Sequence, residues 1–332
     1  MNFKFIKYFV FLLPFLTSAQ NTWYVSVDGN DFTGDGTFID PFRHIQWAVD
    51  QAFSGDTIVA FSGTYDENII IDGKDLAIIG DDELSEKIIN GQDIGDAINV
   101  SDVNYFIIEG FTITNGSDGI DASNCTSLQL KNMTLHSNSN GLVADNCDYS
   151  IIDSTNIYSN GYGAKWDNSD SVLIKNSTMI NNNTSAGLYL LHTQGRIVDA
   201  TIDGNARGIQ FLSSSGDDLT LRRVSVTNNN SGSYGAGLYI SDATTSMSVT
   251  VSDCRFTGNT TYGYQGGGIY SSNNSLTITG TRFNNNYGGN GGAAIYIDHS
   301  DATASLTDCY FIGNDGSSSY GSTIRTAADI NI

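Results

Sequence analysis

The stretch Leu135-His136-Ser137-Asn138-Ser139-Asn140-Gly141-Leu142-Val143-Ala144 returns 22 residues later as Ile157-Tyr158-Ser159-Asn160-Gly161-Tyr162-Gly163-Ala164-Lys165-Trp166. Its first half, an apolar residue, two small or polar ones and Asn, recurs at Met179/Asn182, Ile202/Asn205 and Val226/Asn229. It continues at Phe256/Asn259, Phe283/Asn286 and Phe311/Asn314. Its second half, Gly–apolar–variable–apolar, recurs at Gly208-Ile209-Gln210-Phe211 and Gly237-Leu238-Tyr239-Ile240. A unit this short cannot bury its apolar face alone and does so by stacking on its neighbours, so the period predicts a solenoid.

Outward from the repeats, the ends differ. Lys4 and Lys7 precede the apolar run 8–16, and Thr17-Ser18-Ala19 offers small residues for cleavage before Gln20. The run is short for a bilayer span, so residues 1–19 read as a removed secretory signal and the mature chain as secreted or held at the cell surface. Residues 20–56 are read as an N-terminal strand and a capping helix. Trp23-Tyr24-Val25-Ser26-Val27 is strand-like, and Ile45, Ala48, Val49 and Ala52 after Pro41 follow helical spacing. Such a helix would cover the open end of the core, whose strand edges are otherwise unpaired. Residues 57–332 are read as coils. The chain stops at Ile332 just after another coil begins, which reads as a monomeric fragment lacking C-terminal coils or a sorting domain.

Trp23-Tyr24-Val25-Ser26, Gly29-Asn30-Asp31, Pro41-Phe42, Ile45-Gln46, Gly55-Asp56-Thr57-Ile58 and Gly63-Thr64-Tyr65 resemble the opening of secreted bacterial right-handed parallel β-helix proteins, the pectin-lyase-like superfamily. With the repeats, the resemblance covers the mature chain and implies an all-β right-handed parallel β-helix. That superfamily includes polysaccharide lyases, glycoside hydrolases, epimerases and adhesin-like proteins, so it implies the fold more than the activity. Phe256-Thr257-Gly258-Asn259, Phe283-Asn284-Asn285-Asn286 and Phe311-Ile312-Gly313-Asn314, with the Gly-rich runs 266–268 and 291–292, also resemble repeats of polymorphic outer-membrane adhesins.

The formal charge is −21, or −23 without Lys4 and Lys7. That field disfavours nucleic acid and anionic membranes as partners. It also means that a polyanionic polysaccharide would need calcium or a local basic patch. Cys125 and Cys147 lie one period apart, at a spacing that a disulfide can span, but parallel side chains point the same way and bridge poorly, so a stack of buried thiols is expected over a disulfide. Cys254 and Cys309 lie two coils apart, with Thr281 between them.

Stacking converts each repeat position into a ladder with rungs about 4.8 Å apart. Asn124, Asn146 and Asn168 should form one such ladder at a turn, and Lys131, Asp153 and Lys175 an alternating charge ladder. Asp145, Asp148, Asp167 and Asp170 place four carboxylates on two adjacent rungs, where calcium would relieve their repulsion. The alternative is that these aspartates cap turns and face water. The resemblance implies, for a lyase, aspartate-bound calcium holding a uronate while Lys or Arg removes a proton; Lys165, Arg196 and Arg207 are the candidate bases here. The histidines show no metal spacing, and His136 and His192 read as solvent-facing.

After Asn229 the Asn-to-Asn steps lengthen from 22–24 residues to 30, 27 and 28. The extra residues, 231–234, 260–265, 287–292 and 315–320, fall between the Asn and the next strand and should emerge on one face. The outward position of the Gly phrase there carries Tyr239, Tyr270 and Tyr296, and the insertions add Tyr234, Tyr262, Tyr264, Tyr287 and Tyr320. A tyrosine face suits sugar rings, whereas a plain tyrosine ladder would only shield the sheet. We therefore expect binding or adhesion toward a polysaccharide or surface glycan through Tyr239, Tyr270, Tyr296, Tyr234 and Tyr264. A calcium-dependent polysaccharide lyase and a structural stalk are the alternatives.

Overall fold

A computed structural model describes residues 20–81, 85–182, 184–213, 216–242, 247–272, 274–300, 302–316, 323–327 and 330–331. Residues 1–19, read above as a secretory signal, and Tyr320 lie outside the described residues. No helix among the described residues is long and apolar enough to cross a membrane.

Each coil contributes three strands, all paired in parallel with those of the coils before and after. In one coil these are Asn140–Cys147, Ile151–Asp153 and Asn156–Tyr158. They pair one period on, Leu142 with Ala164, Ile152 with Ile174 and Ile157 with Met179. We call the three resulting columns the first, second and third sheets. The third has 11 strands, from Gly63–Asp66 to Tyr310–Ile312. The first and second merge where Tyr162–Lys175 and Ala186–Val198 run unbroken through their shared corner.

Alternation along each strand sends one set of side chains into the prism. Leu142, Ala164, Leu188, Ile209 and Leu238 of the first sheet are all fully buried, as are Leu135, Ile157, Met179, Ile202 and Val226 of the third. Burying one such aliphatic side chain contributes about 1.5–3 kcal/mol, so the stacked columns supply the core that no single coil has. Between the second and third sheets the chain turns through one residue in the left-handed region. Asn132, Ser154, Asn176, Asp199, Arg223, Asp253 and Asp308 hold φ between 51° and 54° there. Short polar side chains tolerate that conformation best, which accounts for most of this column.

The Asn of the repeated phrase is buried and forms an unbroken ladder from Asn138 to Asn314. Each Oδ1 accepts two bonds from the Asn one coil earlier. Asn160 Oδ1 takes the backbone N–H of Asn138 at 3.0 Å and its Nδ2 at 3.2 Å. Each Nδ2 also donates to a third-sheet carbonyl, as Asn160 does to Leu135 at 3.0 Å. The Gly that follows is required by this ladder. A Cβ on Gly163 would lie 2.3 Å from the carbonyl oxygen of Gly187 and 2.9 Å from Asn182 Nδ2.

The helix Ile45–Gln51 buries Ile45, Ala48 and Val49. Glu67 reaches its first turn from the coils and accepts the N–H groups of Ile45 and Gln46, both at 2.8 Å. The strand Thr22–Val25 pairs with Thr57–Ala60, and Asp56, 2% exposed, ties that junction. Asp56 accepts from Asn21 N at 2.8 Å, Trp23 Nε1 at 3.0 Å and Phe53 N at 3.0 Å.

Other ladders follow the register. Cys125 and Cys147 are paired neighbours, and all four cysteines are free thiols. Thr281 stands between Cys254 and Cys309 and accepts the Cys254 N–H at 3.2 Å. Lys131 pairs with Asp153 and Asp153 with Lys175, whose Nζ is 2.8 Å from Asp153 Oδ2. Asn124, Asn146 and Asn168 all take left-handed φ at the turn leaving the first sheet. His136 and His192 lie on the outer surface and are partly exposed; the His136 ring stacks on the exposed Tyr158 with centroids 5.0 Å apart, and His192 Nδ1 lies 3.6 Å from Asp167 Oδ1.

The insertions after Asn229 open with the dipeptides Asn230–Ser231, Thr260–Thr261, Tyr287–Gly288 and Asp315–Gly316, which stack into a fourth, four-stranded parallel sheet beside the first.

Candidate functional site

The outer face of the first sheet carries the candidate residues. Its central outward column runs from Asp121 through Val143, Lys165, Tyr189 and Gln210 to Tyr239, Tyr270 and Tyr296, each the register partner of the next.

At the far end the tyrosine ladder forms as expected, but it turns its edges outward. Tyr239 and Tyr270 stack with centroids 5.2 Å apart and planes 13° apart; Tyr270 and Tyr296 stack at 5.6 Å and 9°. The Arg207 guanidinium lies 4.9 Å from the Tyr239 centroid and Arg325 lies 5.7 Å from that of Tyr296. The run Arg207, Tyr239, Tyr270, Tyr296, Arg325 therefore engages ring faces along its whole length. Tyr270 is only 5% exposed and its hydroxyl donates to Asp298, which also accepts from the Tyr296 hydroxyl at 3.3 Å. Burial and the Asp298 carboxylate push the Tyr270 phenol pKa well up. The expectation of flat phenol faces open to a sugar is thus corrected for Tyr270, because stacking along the axis spends both faces on neighbouring rungs.

The insertions that follow the fourth-sheet strands wall this strip. Tyr234 leans on Tyr270 at 4.8 Å and meets Tyr264 edge-on at 5.0 Å. Tyr264 is 38% exposed and Tyr262 64%. The wall closes against the ladder through Gly235, Gly266 and Gly292, all at left-handed φ. A Cβ on Gly266 would sit 2.7 Å from Tyr270 Cβ.

The three candidate bases do not share a site. Lys165 lies on the outer face of the first sheet, with Nζ 5.9 Å from the Tyr189 centroid. Arg196 lies on the second sheet, between Leu173 and Thr220. Arg207 is a strut: it donates to Gln210 Oε1 and to the Tyr234 carbonyl at 3.0 Å, while its Nε is buried without a partner. Burial lowers its pKa.

The four aspartates divide at a corner. Asp145 and Asp167 are register partners on the first sheet. Asp148 lies in the turn beyond that strand and accepts the Asp170 N–H at 2.7 Å, as a turn cap does. Among the described residues no three His, Cys, Asp or Glu side chains gather into a group able to hold a metal ion. Calcium takes six to eight oxygens, so these four carboxylates do not fit the site expected of them.

Two features escaped the repeat reading. Tyr189 occupies the outward position of Gly187-Leu188-Tyr189-Leu190 and meets Tyr162 edge-on at 5.6 Å, extending the aromatic strip toward Lys165. Asp118 and Asp121 sit earlier on the same face. Burial, with Asp96 nearby, raises both carboxyl pKa values, and Asp118 and Asp145 add to the shift of Asp121. Both features were readable, since Tyr189 and Asp121 hold the variable position of the Gly phrase.

The model of the family described as right handed beta helix region matches residues 85–247 and 118–283, together more than half of the chain. No curated protein sequence matches it. Among solved structures it is similar to pectate lyase Pel9A, at 16% identity over 90% of this chain and 78% of that one, with a TM-score of 0.52. It is similar to a polygalacturonase from Erwinia carotovora ssp. carotovora, at 11% identity over 94% and 97%, with a TM-score of 0.56. It is also similar to XylC in complex with xylose, at 10% identity over 88% and 86%, with a TM-score of 0.55. At these identities the likeness is one of fold. Parallel coils, inward apolar columns and the family match agree: this chain belongs to the right-handed β-helix family, with the pectin-lyase-like fold.

Proposed function

We propose that this protein is an exported or cell-surface β-helix that binds a glycan on the outer face of its first sheet, in the coils after Asn229. The observation that carries the reading is the walled tyrosine strip. In the insertions that follow the fourth-sheet strands, Tyr234 leans on Tyr270 of the ladder and Tyr264 packs against Tyr234. The strip offers a ligand phenol edges and hydroxyls from the ladder and exposed rings from the wall, a mixture of apolar surface and hydrogen-bonding groups that suits sugars. Tyr264 is the contact ring, while Tyr270 and Arg207 hold the strip in shape. The fold also occurs in proteins named pectate lyase and polygalacturonase, which supports a polysaccharide partner. The apolar leader at residues 8–16 supports export.

The rival reading is a polysaccharide lyase near Lys165, Asp145 and Asp167. One observation favours it: Lys165 and Asp167 face outward two residues apart on the first sheet, with His192 Nδ1 3.6 Å from Asp167 Oδ1. The experiment is a glycan array with parallel ultraviolet detection of unsaturated products, with and without a chelator. Binding to a polysaccharide that falls at least about tenfold in Tyr264→Ala, with no product, supports the proposal; a tenfold loss corresponds to about 1.4 kcal/mol. Product that disappears in Lys165→Ala would replace it with the lyase. Silence in both assays on folded protein would leave a structural stalk.

A further inference from the structure

The chain is acidic as a whole, yet residues 219–297 hold Arg222, Arg223, Arg255 and Arg282, no lysine or glutamate, and only Asp242 and Asp253. Arg223 is neutralised where it stands, with Nε and Nη2 each 2.6 Å from an Asp199 carboxylate oxygen. Arg255 and Arg282 are not. They are register partners on the third sheet, both exposed at the first position of their strands. Among the described residues neither forms an ion pair. Arg255 Nε donates to Thr257 Oγ1 at 2.9 Å, and the Arg282 guanidinium lies 5.7 Å from the Tyr310 centroid. Parallel neighbours stand about 4.8 Å apart, and like charges directly opposite destabilise a sheet. The fold does not ask for them: earlier coils fill the same column with Asn156, Thr178, Thr201 and Ser225. Two unpaired guanidinium groups on adjacent rungs form a site whose repulsion a bound anion would relieve.

The column continues to Tyr310, 57% exposed, with Ile312, 64% exposed, two residues along the same strand. Cation, cation and aromatic ring therefore follow one another at one rung per step. A carboxylate has two oxygens and is satisfied by one guanidinium fork, so a pair of forks on adjacent rungs matches a tetrahedral oxyanion with three free oxygens. The exposed ring and Ile312 beside it supply apolar surface for the body that carries the anion, as a sugar ring does. A phosphate monoester brings a charge of about −1.5 to −2, and a sulfate ester brings one; in a chain of net charge −21 the smaller charge is the less repelled. We propose that the Arg255–Arg282–Tyr310 column is a docking surface for a sulfated polysaccharide, with a sulfate ester between the two guanidinium groups and a sugar ring against Tyr310. The surface lies on the third sheet and shares no residue with the tyrosine strip, so it does not depend on the reading of that strip.

The test is binding of the full chain to immobilised heparin, with desulfated heparin, polygalacturonate and dextran phosphate as comparison probes. Heparin should bind with an affinity that falls as salt rises, and each of the other three should bind at least about tenfold more weakly. The double variant Arg255→Gln/Arg282→Gln should lose about tenfold or more of the heparin affinity without lowering Tm, because it removes a like-charge contact. Arg282→Lys keeps the charge without the planar fork and should fall between the two. Tyr264→Ala should leave heparin binding unchanged, which separates a failure of the tyrosine strip from a failure of this surface. No heparin binding by folded wild-type protein overturns the inference, and so does undiminished binding by the double variant. Equal or tighter binding of desulfated heparin, polygalacturonate or dextran phosphate also overturns it. If the double variant does not fold, the two single variants decide, and undiminished binding in both overturns the surface.

Discussion

Coils before Asn229 and coils after it share an interior and differ outside. Both bury the same asparagine ladder, and Asn229 joins Asn259 with the geometry of every other rung, N–H to Oδ1 at 3.2 Å and Nδ2 to Oδ1 at 2.9 Å. Both keep apolar columns, though the third sheet passes from Met179, Ile202 and Val226 to the stacked rings of Phe256, Phe283 and Phe311, 5.2 and 5.1 Å apart. Outside, the early coils carry charge: Lys165, Asp145 and Asp167 on the first sheet, and the Lys131–Asp153–Lys175 ladder on the second. The late coils carry tyrosines and an added sheet, with Arg207 of the preceding coil and Arg325 at the ends of the stack. The difference shows where the solenoid is constrained. A residue inside must satisfy the rung above and the rung below, whereas outward residues and corner insertions can change as long as the change itself stacks.

The largest effect should come from breaking what the halves share. Asn229→Ala would orphan the Asn205 N–H, leave the Asn205 Nδ2 with the Met179 carbonyl, remove a donor from the Ile202 carbonyl and strip the Asn259 Oδ1 of the Asn229 Nδ2. At about 1–3 kcal/mol for each buried unsatisfied group, urea unfolding should show a loss of about 3 kcal/mol or more. Asn160→Ala in the early coils should cost about the same. A cost there below about 1 kcal/mol would mean that the ladder stabilises only the late half.

A smaller effect should be confined to the late half. Gly266→Ala puts a side chain at φ 71° and 2.7 Å from Tyr270 Cβ, and should cost about 1–3 kcal/mol. Hydrogen exchange should then accelerate in the coils around Tyr239, Tyr270 and Tyr296 and stay unchanged near Asn160. Uniform acceleration would show that the two halves open as one cooperative unit.

The smallest effect belongs to the early charge ladder. Burial pushes the Asp153 pKa up, but hydrogen bonds from Lys175, Asn176 and Ser154 outweigh it and hold the value below the ordinary carboxylate range. A depressed carboxylate contributes stability above its unfolded pKa of about 3.9, and that contribution is lost as pH falls through the lower folded value. Both partners are partly exposed, so the contribution should be under about 1 kcal/mol and should fade in high salt. Lys175→Met should raise the Asp153 pKa, measured by carboxyl NMR, and flatten stability below about pH 4. An unmoved Asp153 pKa would show that Asn176 and Ser154 carry the shift without the lysine.

The repeat period made the columns legible before any coordinates. Leu142 under Ala164, Cys125 under Cys147 and Tyr239 under Tyr270 follow from counting residues, because a parallel stack converts sequence spacing into axial neighbours. The capping helix was legible from Ile45, Ala48, Val49 and Ala52. Which side of a ring faces out, how a corner divides a cluster and whether an insertion pairs were not legible, since a period says nothing about χ angles or the path between strands. The aspartates show this most plainly. Asp145 and Asp148 are three residues apart in sequence, yet Asp145 stays on the first sheet while Asp148 lies in the turn beyond it, where Tyr149 takes left-handed φ.

By itself, then, the sequence determined the solenoid, its register and its buried ladders, because these depend only on residues recurring at a constant step. Tertiary structure alone decided that the tyrosines present edges, that Arg207 is a strut and that the late insertions open with a fourth sheet. Those outcomes depend on how neighbouring coils fill the space around a side chain, and that space exists only once the coils are stacked.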